Sequence, residues 1–163
     1  MFKNMKLLLV LFICMTVLLA GCGGTSGTTL PYKKGETYKD SDKNIVEITA
    51  DNEWRVKGYQ SNEASYKVEP MEYKGGQYSV ISISLKEKFS KTDPWLVTND
   101  YEYYLLSPMK TGFSLLKLGS SHPNSKEWKE FKEKFESAND KEAFLKKEME
   151  GSKYRLTKFE KTN

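Results

Sequence analysis

The sequence predicts a mainly β domain: an antiparallel meander of about seven to eight strands, one C-terminal amphipathic helix over residues 125–150, and a last strand. Three observations carry this prediction. Apolar and polar residues alternate from Gly35 to Gly119, the apolar spacing changes to three and four from Asn124, and alternation returns after Gly151. Period two is the signature of a strand with one buried face, and a spacing of three and four is that of a helix.

The elements follow in order. In "NIVEITAD" Val46, Ile48 and Ala50 share a face, and in "EWRVKGY" Trp54 and Val56 do; Asp51-Asn52 between them has the composition of a tight hairpin turn. "ASYKVEPMEYKGG" sets Tyr66 with Val68 before Gly75-Gly76 reverses the chain. "QYSVISISLKEKF" puts Ile81, Ile83 and Leu85 on one side and serines on the other. "PWLVTNDYEYYLLS" and "TGFSLLKLG" continue the meander, rich in the aromatic and β-branched residues that strands favour. Asn124 and Glu127 then have capping-box spacing, and Trp128, Phe131, Phe135, Ala138, Leu145 and Met149 form the apolar stripe. Asn139-Asp140 marks where this helix would break in two. "KYRLTKFEK" is the last strand, with Tyr154, Leu156 and Lys158 opposite Arg155, Thr157 and Phe159.

The first residues have a different design. Lys3 and Lys6 precede an apolar run from Leu7 to Ala20 that stops at Gly21-Cys22. A positive start, an apolar segment of about a dozen residues and small residues at its end describe a secretory signal peptide. The run is short of the roughly 20 residues that a transmembrane helix needs. Leu19-Ala20-Gly21-Cys22 resembles the bacterial lipobox. That resemblance implies removal of residues 1–21 and a diacylglycerol on Cys22, which makes the protein a palmitate-type lipoprotein held on the extracytoplasmic face of the cell membrane. Each buried methylene contributes about 0.8 kcal/mol, so two acyl chains give on the order of 20 kcal/mol of anchoring before entropic losses. Residues 22–34, the lipidated cysteine and the stretch "GGTSGTTLPYKK", read as a flexible tether, and 35–163 as the folded domain.

Composition excludes several functions. Cys14 leaves with the signal peptide and Cys22 is consumed by lipid, so no thiol remains for a redox site, a disulfide or a zinc cluster. The formal charge of +4 falls to +2 once Lys3 and Lys6 are removed, and no basic block of the kind that binds nucleic acid is present. Two arginines, Arg55 and Arg155, stand among many lysines, a bias that fits a low-GC Gram-positive source. His122, the one histidine, sits in the turn-like "SSHPN", and "KEWKEFKEKFE" is a solvated helix face. Asp40 and Asp42 would chelate a cation only if other oxygens were brought near them, and a hairpin turn explains them as well. No nucleophile motif, phosphate loop, metal motif or cofactor signature is visible, so the sequence predicts a protein that is not an enzyme and carries no metal or cofactor.

A meander, an outer helix and a closing strand resemble the lipocalin and wider calycin layout. Gly35-Glu36-Thr37-Tyr38 stands near the family's Gly-x-Trp, one residue longer and with Tyr for Trp. Thr98-Asn99-Asp100-Tyr101 stands near its Thr-Asp-Tyr with an inserted Asn, and the family's late arginine has only Lys117 nearby. The resemblance implies a closed barrel whose interior receives a small hydrophobic molecule. Trp54, Tyr66, Tyr78, Trp95, Tyr101 and Tyr103 are the candidate lining, being apolar bodies with polar tips. Tyr101 and Tyr103 share a face with Leu105, and Tyr104 faces the other way with Leu106, so an exposed aromatic patch for an envelope or secreted protein is the competing reading. On that reading the domain is an immunity factor or an inhibitor of an envelope-active enzyme.

Overall fold

A computed structural model describes residues 30–162. The expected signal peptide, Cys22 and most of the tether lie outside them. The chain forms eight strands: β1 (Thr37–Asp40), β2 (Ile45–Ala50), β3 (Glu53–Lys57), β4 (Glu63–Gly75), β5 (Tyr78–Lys88), β6 (Glu102–Met109), β7 (Gly112–Ser120) and β8 (Leu156–Lys161). Two helices, α1 (Lys126–Ser137) and α2 (Lys141–Gly151), lie between β7 and β8. Each strand pairs antiparallel with the next, and β1 pairs with β8, so the sheet is a closed up-and-down barrel. Closure leaves no unpaired strand edge, and every strand partner lies within residues 37–161. The last strand is thus the eighth stave of the barrel rather than an appendage to it.

Strict alternation sends one set of side chains inward and the other outward. The inner set holds Tyr38, Trp54, Tyr66, Phe113 and Phe159, each less than 2% exposed. Phe113 and Phe159, opposite each other on β7 and β8, stack at 4.7 Å and 9°. A buried side chain of this size contributes about 1.5–3 kcal/mol, so the middle of the barrel is a packed core and not a hollow. The outer set on β4–β7 is covered by the helices. Tyr73 meets Trp128 and Phe135 edge-on, and Tyr103 stacks on Trp128 at 4.1 Å.

Five local expectations change. The β6 strand begins at Glu102, and residues 94–101 are a loop instead of its first half, because Pro94 lacks an N–H and Asp93 takes the N–H groups of Trp95 and Val97. Tyr32, expected in the tether, is 4% exposed and packs 4.9 Å from Trp54, so the folded domain starts before residue 35. The helix over 125–150 is two helices, since Asp140 accepts from Ala143 N at 2.9 Å and caps a new start. The capping box from Asn124 does not form: Ser125 is the N-cap, and its hydroxyl accepts from Ser120 N at 3.1 Å. In the last segment Lys153–Arg155 form a 3-10 turn before β8, with Phe159 inward as its parity requires.

Gly75-Gly76 does reverse the chain between β4 and β5, and glycine is needed there twice over. A Cβ on Gly75 would stand 2.8 Å from the backbone N of Glu142, and Gly76 has a φ of +56°. The start of α2 therefore rests directly on the hairpin backbone.

Candidate functional site

Strands β1, β3, β5 and β7 all finish at one end, here the mouth. The opposite end has short hairpin turns and is stoppered by Tyr32, whose ring lies 5.6 Å from Phe113. At the mouth, the connection from Phe89 to Tyr101 folds inward and carries Trp95 into the barrel. The indole lies 4.6 Å from Tyr66 and 6.0 Å from Phe159.

Two buried carboxyl groups hold that loop. Asp40, 5% exposed, ends β1 and accepts from Trp95 Nε1 at 3.0 Å on Oδ2. It also accepts from Asp42 N at 2.9 Å, Asn44 N at 2.8 Å and Asn44 Nδ2 at 2.8 Å, which winds the β1–β2 turn around it. Asp93 Oδ1 accepts from Tyr66 OH at 2.7 Å, Trp95 N at 3.1 Å and Val97 N at 3.2 Å. Burial, and then the bond to Asp93, push the Tyr66 hydroxyl well above its ordinary range. At the start of β6, Glu102 accepts from Tyr104 OH at 2.7 Å and from Lys117 Nζ at 2.8 Å. Burial first and Glu102 second raise the Tyr104 hydroxyl in the same way. These phenols remain protonated donors, so they serve as struts rather than bases.

Above this scaffold a cleft of about 270 Å³ opens at the mouth. Its walls are the rings of Trp95, Tyr104 and Phe159 with Ile83, Leu96 and Leu115; Asp42 and Thr157 are its polar members. Leu96 stands at the lip, 65% exposed, with a φ of +51°. That left-handed conformation costs a residue with a side chain about 1–2 kcal/mol, and such strain gathers where a surface is shaped for a ligand. The volume is near the lower end of small-molecule pockets, about 300 Å³.

A family model, described as a family of unknown function, DUF5512, matches residues 21–163. The chain belongs to the DUF5512 family. An uncharacterized protein of Bacillus anthracis is 58% identical over 100% of both chains. No solved structure matches the chain.

Within this DUF5512 barrel the six residues singled out from sequence separate into three groups. Trp54, Tyr66 and Trp95 meet inside, but Trp54 and Tyr66 are sealed in the core and Trp95 alone lines the cleft. Tyr78 and Tyr103 face outward beneath the helices, where they cannot line the interior. Tyr101 is 42% exposed beside the mouth. Sequence reasoning missed Tyr104, Phe159, Leu115 and Ile83 as lining residues. Their signal was parity, since Tyr104 alternates with Leu106 and Phe159 with Thr157, and both series point inward. His122 is exposed and its Nδ1 accepts from Asn124 N at 3.2 Å within its own turn. Among the described residues no cluster of His, Cys, Asp or Glu is arranged for a metal. None of the described helices is long and apolar enough to cross a membrane.

Proposed function

We propose that the protein is an extracytoplasmic lipoprotein, anchored through Cys22, that holds a small hydrophobic ligand in the mouth of its barrel. The observation that carries this reading is the cleft itself: three aromatic rings and three aliphatic side chains around one opening, on a scaffold of buried hydrogen bonds. The mouths of β-barrels are preferred places for small-molecule sites, and the base stoppered by Tyr32 leaves the mouth as the route of entry. Anchoring rests on the lipobox resemblance at residues 19–22.

Native mass spectrometry of residues 23–163, before and after organic extraction, tests the binding reading. An extra mass that extraction removes, and that Trp95→Ala abolishes, is expected; a clean apo mass from every preparation would defeat it. Fatty-acid labelling that persists after Cys22→Ser would defeat the anchor.

A second reading, a protein-interaction module of the cell envelope, has its own support. Of the large hydrophobic side chains most exposed among the described residues, Tyr59, Phe89, Leu96, Tyr101 and Tyr154 lie on connections at the mouth end, and Ile45 is the first residue of β2 at that end. Residue 30 enters at the other end, so a tether there presents this rim away from the anchor. Envelope-protein binding that is lost in Tyr59→Ser and Leu96→Ser, with an empty cleft, would favour this reading over the first.

A further inference from the structure

We infer that the ligand of the mouth cleft is a small organic cation, an amine carried on an apolar body. This rests on the cleft being a binding site, and it adds the charge that the cleft selects. No lysine or arginine lines the opening; the one ionic group on its wall is Asp42, which has no ion-pair partner among the described residues. Behind the Trp95 ring, Asp40 and Asp93 are 5% and 8% exposed and are held by neutral donors only: backbone N–H groups, an indole, an amide and a phenol. Hydrogen bonds from neutral groups satisfy the lone pairs of a carboxylate without cancelling its charge, and in a partly dehydrated site that charge is weakly screened. Glu102, by contrast, is matched by Lys117.

The rings act in the same direction. The faces of Trp95, Tyr104 and Phe159 carry negative quadrupoles, and a cation within about 6 Å of such a ring is attracted to it, the more so when desolvated. An anion at the same place meets both the carboxylates and the ring faces unfavourably. A neutral ligand gains from the apolar walls alone. The cleft thus offers an apolar floor at Leu115 and Ile83 and an acidic lip at Asp42, which places the body of an amine inward and its nitrogen outward.

Three probes of one shape distinguish the possibilities by calorimetric titration of residues 23–163, the chain without its lipidated cysteine: phenethylamine, phenethyl alcohol and hydrocinnamate. The amine is expected to bind about tenfold or more tightly than the alcohol, and hydrocinnamate least. Asp42→Asn should remove most of the amine's advantage without weakening the alcohol, and Asp42→Glu should restore it; Asp42 is an exposed turn residue, so both variants fold. Equal binding of amine and alcohol, stronger binding of hydrocinnamate, or an advantage untouched by Asp42→Asn would overturn the charge inference and leave the cleft intact as a hydrophobic site. If none of the three probes binds, in a preparation that mass spectrometry also finds empty, the binding reading falls with it.

Discussion

At the scale of single residues, the barrel depends on a few positions where no other side chain fits. Gly112 opens β7 with a φ of +145°, and a Cβ there would lie 1.9 Å from the carbonyl oxygen of Phe159. Neither strand can retreat, since Phe113 and Phe159 are stacked one step away. Gly112→Ala should therefore destabilise the fold by about 2–4 kcal/mol, read as a lower urea midpoint at unchanged slope. Asp40 and Asp93 are single residues of another kind, each collecting several N–H or O–H donors to fix a loop. From sequence Asp40 was legible as a turn residue. Its bond to Trp95, across 55 positions, was not, because nothing in a linear pattern pairs a turn carboxylate with a distant indole.

At the scale of elements, α1 buries Trp128, Phe131 and Phe135 and α2 buries Leu145 and Met149, but the two helices differ in how they start. Ser125 gives its hydroxyl to the β7 end and leaves α1 without a side-chain cap, whereas Asp140 caps α2 directly. Asp140→Ala should cost about 1 kcal/mol and fray the first turn of α2, which rests on the Gly75 backbone. Thermal unfolding and amide exchange at residues 141–144 would measure both effects. The alternation that revealed the strands failed in residues 94–101, where Trp95 and Val97 imitate a strand while Asp93 and Pro94 bend the chain, and at Lys153–Arg155, which form a 3-10 turn ahead of β8. The helix period was legible in full, and its break lay where Asn139-Asp140 suggested.

At the scale of the whole molecule, closure is made by the β1–β8 seam. Glu36, just before β1, accepts from Lys161 Nζ on β8 at 2.6 Å, from Tyr38 OH at 2.6 Å and from Lys33 N at 2.8 Å. The bond from Lys161, then that from Tyr38, hold its carboxyl at about 2, below the ordinary 4.5. A carboxyl depressed in the folded state adds stability that is complete above its unfolded value and lost as pH falls through its folded one. The wild-type chain should thus lose stability between about pH 4.5 and 2. Glu36→Gln should be less stable at neutral pH and show a flatter decline across that window, measured by urea unfolding at several pH values.

The sequence by itself determined the strand and helix periods and the order of the elements. These are local properties, set by side-chain parity and composition along a short stretch of chain. Only the tertiary structure decided which aromatics face the same space. Tyr78 and Tyr103 share the chemistry of Tyr66 and Tyr104 but sit on the opposite side of the sheet, under Trp128 and its neighbours. It also decided that Tyr32 closes one end and that Trp95 shapes the other, because both depend on loops folding back into a barrel that closes only when β8 meets β1.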